Sequence, residues 1–186
     1  MINRQKGNFL SNLEDFLPLW DRANAAVQTL AGSARTEPTL YFDSIDISTP
    51  TFFFFIRALL AFEGADTFAV LALRPDPFTY FHHHFKKYPA FFVGPEHSVD
   101  DYFAFLNADP GDSLADALAS NAQRYAILPI NGSWFVYGNW SKEMSALTGP
   151  SDVLKFSQGN YPFFLYPGAN FQIVDESYRY KLSSTN

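Results

Sequence analysis

The chain has no cysteine among its 186 residues. Disulfide scaffolding and thiolate chemistry are therefore excluded, and the absence fits a reducing compartment. Long apolar runs are also missing. The longest, Phe52 to Phe62, is interrupted by Arg57. A membrane-spanning helix needs about 20 apolar residues, so no such span is expected. The opening residues MINRQKGNFLSNLEDF carry charge but lead into no apolar stretch, so no secretory signal is expected either. Together these absences point to a cytoplasmic protein.

Basic residues are absent from one long window. Between Tyr88 and Gln123 there is no Lys or Arg, while Glu96, Asp100, Asp101, Asp109, Asp112 and Asp116 fall within it. The remainder of the chain holds 13 acids and 13 bases, so this segment accounts for the whole net charge of −6. Nucleic-acid binding through a basic face is disfavoured, because neutralising phosphates takes clustered Lys and Arg. Carboxylates interleaved with Tyr102, Phe103, Phe105 and Leu106 fit a different task, docking a basic protein. Complementary charge speeds encounter and rejects wrong partners. The competing reading of the same residues is a solvated helix face.

Aromatic residues are plentiful. They make up 18% of the chain, 21 of them Phe, and 47% of all residues are hydrophobic. That is enough to bury a core, and the length suits one domain. The organising stretch is Arg124 to Thr148. Tyr125–Ile130 is an apolar run that meets Asn131-Gly132, a pair that favours a tight type I′ hairpin turn. Ser133–Tyr137 returns as a strand, with Trp134 and Val136 on one face and Phe135 and Tyr137 on the other. Both faces are apolar, so the strand should be covered on both sides. Gly138 is expected to end it, and Ser141 to cap a short helix that stops at Gly149-Pro150.

Elsewhere the periodicity predicts helix over residues 8–31, broken or kinked near Leu17 by Pro18. A strand is expected at Thr39–Phe42. Ser48-Thr49-Pro50 opens a helix from Thr51 to Glu63 that is apolar over most of its circumference. Strands follow at Thr67–Leu73 and Ala90–Val93. Helices are predicted from Asp76-Pro77 to Lys87, from Ser98 to Asn107, and from Asp112 to Asn121. The aromatic tail reads as a second hairpin within residues 158–182, turning at Pro167-Gly168. The expected fold is α+β: a mixed or mainly antiparallel sheet with helices packed against it.

Catalytic motifs are lacking. There is no G-x-S-x-G, no phosphate-binding glycine pattern and no H-E-x-x-H. His82-His83-His84 is conspicuous, but successive helical residues diverge by about 100° and cannot converge on one ion. No metal and no cofactor is expected. Trp134, Tyr137 and Trp140 could line an aromatic pocket for a small ligand or substrate; packing in the core is the plainer role.

The segment SWFVYGNWSKEMSAL, a tryptophan strand closed by Tyr-Gly and followed by a short helix with an acidic residue, resembles the C-terminal portion of small bacterial immunity-type proteins. The resemblance covers roughly residues 70–147, and Asn139 stands where those proteins often carry a charge. It implies a cytoplasmic, single-domain α+β protein that neutralises a toxin by binding it. The expectation is therefore a non-enzymatic protein whose partner is another protein, such as a basic toxin or nuclease. The alternative is an enzyme or ligand binder built on Trp134, Tyr137 and Trp140.

Overall fold

The computed structural model describes residues 9–31, 39–111 and 114–165. The architecture is α+β. Helix α1 (Leu13–Ala31) leads to strand β1 (Thr39–Phe42), a 3-10 turn (Ser44–Ser48) and helix α2 (Pro50–Glu63). Strand β2 (Phe68–Arg74) is followed by a π-helical segment (Pro77–His82) that runs into the short helix α3 (His83–Phe85), then by β3 (Ala90–Val93) and α4 (Val99–Asn107). Helix α5 (Leu118–Asn121), β4 (Arg124–Pro129), β5 (Phe135–Asn139), β6 (Met144–Thr148) and α6 (Ser151–Asn160) complete the order. Among the described residues the strands form one six-stranded sheet in the order β1-β6-β5-β4-β2-β3. Every pairing in it is antiparallel.

Both faces of the sheet are covered. On one side α1 lays Phe16, Trp20, Ala23 and Val27, at spacings of three and four, over Ala69, Leu71, Ala126, Phe135 and Tyr137. On the other side α2, α4, α5 and α6 enclose Phe68, Val70, Phe91, Tyr125, Ile127, Trp134 and Val136. The period-2 alternation of each strand feeds the two layers separately. At about 25 cal/mol per Å², burial of this many aromatic rings is the main source of stability.

Helix α2 follows its sequence signals closely. The Thr49 hydroxyl accepts from Phe52 N at 3.2 Å, Pro50 occupies the first turn, and Gly64 closes the helix at φ 69°. Helix α1 does not break at Pro18. That residue lies on the exposed side, so the carbonyl deprived of its amide partner can meet water and the helix continues.

Three expectations are corrected. Asn131-Gly132 does not form a type I′ turn, because neither residue has positive φ. Ile130 N pairs instead with Thr67 O at 2.9 Å. Ser133 N and its hydroxyl bind Glu63 Oε1. The loop is thus fastened to α2 and β2 rather than to itself. Gly138 does not end β5 but sits inside it, and the helix expected after Ser141 is a 3-10 turn (Trp140–Lys142) followed by β6. Glu143 turns the chain at φ 50°, and the run Ala146-Leu147 is claimed by the gap between β5 and β1. Helix α6 was not expected: residues 151–157 carried no predicted element, and 158–160 begin the segment expected to hold the second hairpin. Of the expected second hairpin, Leu165 bridges Tyr41; from Tyr166 onward it lies outside the described residues.

Candidate functional site

The carboxylates of the acidic window divide into two groups. Glu96 and Asp100 face outward, Asp100 in the first turn of α4 and Glu96 with its Oε1 3.8 Å from His97 Nδ1. The others serve local structure. Asp101 closes a capping box: its carboxylate accepts from Ser98 N at 2.8 Å and Ser98 Oγ at 2.7 Å, while Ser98 Oγ accepts from Asp101 N at 3.2 Å. The Ser98 hydroxyl, and then its backbone amide, hold the Asp101 carboxyl below its ordinary pKa.

Asp109 accepts from Gly111 N at 2.6 Å and from Asp116 N at 3.0 Å, tying the turn to the 3-10 segment Leu114–Asp116 beyond it. Asp116 accepts from the Tyr80 hydroxyl at 2.6 Å and from Asn121 Nδ2 at 3.0 Å. The bond to Asp116 is the main reason the Tyr80 phenol is pushed up. Asp112 lies outside the described residues. Lys87 also reaches this region, donating to Pro110 O at 3.0 Å.

The aromatic trio does not converge. Trp134 packs into the core beneath α2 and α6, whereas Tyr137 packs on the α1 side of the sheet. Trp134 and Trp140 flank β5 at opposite ends, about 20 Å apart along an extended strand. Trp140 instead lies against Tyr125, with ring centroids 6.3 Å apart. The pocket that would have joined all three is thus replaced by core packing on two faces. The histidines do not converge on one point either, although the His83 and His84 rings meet edge to face at 4.9 Å. His82 stacks on Tyr88 at 4.7 Å and His83 and His84 are exposed. Among the described residues no group of three or more His, Asp or Glu could hold a metal ion, and no helix is long and apolar enough to cross a membrane.

Two features were not read from the sequence. First, tyrosines from three separate elements hold the Ser44–Ser48 turn. Tyr125 donates to Ser44 O at 2.9 Å and shares a 2.6 Å bond with Ser145 Oγ. Tyr102 donates to Ile47 O at 2.8 Å, and Tyr161 to Asp46 Oδ2 at 2.7 Å. Burial pushes all three phenols up and also raises Asp46, an effect that the Tyr161 bond partly opposes and neighbouring Asp43 reinforces. Second, a cleft of about 410 Å³ runs beside β1, lined by Thr39, Gln158, Tyr161 and Phe164. It carries no charged side chain among its described lining and is remote in sequence from the acidic window.

No protein-family model, no curated protein and no solved structure matches this chain.

Proposed function

We propose that this chain is a cytoplasmic protein that works by binding another protein, a basic toxin or nuclease that it neutralises. The observation that carries this reading is the outward pair Glu96 and Asp100, in a window with no Lys or Arg of its own. Asp101, Asp109 and Asp116 take part in the fold and contribute field rather than direct contact. A set of fixed carboxylates beside outward-facing ones attracts cations without having to reorganise. The separation of Trp134 and Trp140 from Tyr137 favours a binding protein over an enzyme with an aromatic pocket.

The test is a calorimetric titration of the purified chain with a basic nuclease, across a salt series. Reversal of the outward pair, Glu96→Lys with Asp100→Lys, should weaken binding at least tenfold and flatten the salt dependence. Equal binding by the reversed protein at every salt concentration would end the proposal.

A further inference from the structure

The outward face of α2 is unlike that of an ordinary surface helix. Thr51, Phe54, Ala58, Ala61 and Phe62 are all exposed, Phe54 by 60% and Phe62 by 45%. They recur at helical spacing and include no charge, where a solvated row is normally polar. The only charged residues of the helix are engaged elsewhere: Arg57 donates to Asp66 O at 3.3 Å, and Glu63 holds Ser133. Exposed apolar patches of this kind mark interaction sites.

The two flanks of the row are acidic. On one side α6 packs through Phe156, which stacks on Phe62 at 4.4 Å, with exposed Asp152 one turn earlier on the same side. Lys155 falls about 100° round that helix from Phe156, away from α2. On the other side α4 packs through Tyr102 against Phe53 at 5.3 Å, and Asp100 is exposed in its first turn.

We propose that this row is the docking surface for an amphipathic helix of the basic partner. That helix would lay an apolar stripe over Phe54, Ala58 and Phe62, and set Lys or Arg against Asp100 and Asp152. The inference rests on the reading that the partner is a basic protein, and it names where that partner is gripped. Charge decides against a second copy as the occupant. Two copies meeting here would bring their acidic borders together, on chains that already carry −6 each.

The probe is a pair of synthetic helical peptides with leucines at i, i+3, i+4 and i+7, one flanked by lysines and the other by glutamates. Binding to the full chain is read by fluorescence anisotropy. The lysine peptide should bind at least tenfold more tightly than the glutamate peptide. It should lose at least tenfold with Phe54→Ser, recover with Phe54→Leu, and weaken with Asp100→Asn plus Asp152→Asn. Undiminished binding to Phe54→Ser, or equal binding of both peptides, overturns the proposal. So does a dimer in sedimentation that Phe54→Ser dissociates, which would make a second copy the occupant. The chain contains no cysteine, so Phe54→Cys is a clean reporter. Rapid maleimide labelling is expected, and slow labelling would mean the chain covers this row itself. If reversing Glu96 and Asp100 abolishes capture of the neutralised protein but Phe54→Ser does not, the binding function stands and α2 is not its grip.

Discussion

Tyr161 and Asp46 are joined by a 2.7 Å hydrogen bond although 115 residues separate them in the chain. Tyr161 follows α6, and Asp46 belongs to the turn between β1 and α2, so this bond ties the last described helix to the first edge of the sheet. Tyr161→Phe should cost about 1 kcal/mol at neutral pH, the usual worth of such a bond to a half-exposed charge. Burial raises Asp46, so its contribution to stability is present when it is protonated and is lost as pH rises through its elevated folded value. The Tyr161 bond pulls the other way, favouring the ionised carboxylate, so the deficit of Tyr161→Phe should shrink on acidification, which urea unfolding at two pH values would reveal.

Asp101 behaves in the opposite sense. Its folded pKa is lowered, so its stabilising effect is present above the ordinary carboxylate range and disappears as pH falls through the folded value. Asp101→Asn should flatten the acid limb of the stability curve relative to the parent. An unchanged acid limb would show that the capping box contributes nothing to it.

Two glycines should respond with opposite signs. A Cβ on Gly138 would lie 1.9 Å from the Tyr125 ring, which cannot yield because its hydroxyl is bonded to Ser44 and Ser145. Gly138→Ala should cost about 2–3 kcal/mol or more through overpacking. A Cβ on Gly159, inside α6, meets nothing within 4 Å. Gly159→Ala should stabilise by about 0.5–1 kcal/mol. Chemical denaturation of the two variants provides the comparison.

The division among the carboxylates is open to a thermal measurement. Glu96→Lys and Asp100→Lys should leave the midpoint nearly unchanged. Asp109→Ala and Asp116→Ala should each lower it, because they strand the amides of Gly111 and Asp116, or the donors of Tyr80 and Asn121.

Helix cap chemistry provides a further check. Removing the hydroxyl that receives Phe52 N, in Thr49→Ala, should cost about 1 kcal/mol. Equal urea midpoints for the parent and this variant would show that Pro50 and the packing of α2 suffice without it.

What the sequence disclosed was local. Thr49-Pro50 and Gly64 bracket α2, and Ser98 with Asp101 opens α4, because caps and stop signals are written within a few residues of where they act. What it concealed depended on distant partners. Met144–Thr148 has helical propensity, yet it is a strand because Leu147 pairs with Leu40 and Val136 on either side. The Asn131-Gly132 signal was outweighed by Glu63, 70 residues earlier, which binds Ser133. For the candidate site, composition located the acidic window, but which carboxylates the fold would consume depended on Tyr80, 36 residues from Asp116. The apolar circumference of α2 was visible in its run of phenylalanines; that one side would stay uncovered by neighbouring helices was not.

The strand order has a consequence for how this chain is made. β1 occupies the edge beside β6, with Thr39 set against Thr148. During synthesis β1 emerges from the ribosome long before any strand it can pair with, while β2, β3 and β4 can assemble in the interval. Residues 39–42 must therefore wait as an open, aromatic-containing edge until translation delivers β6. Nascent-chain arrest just before and just after that point should show protease resistance at β1 appearing only in the longer arrest.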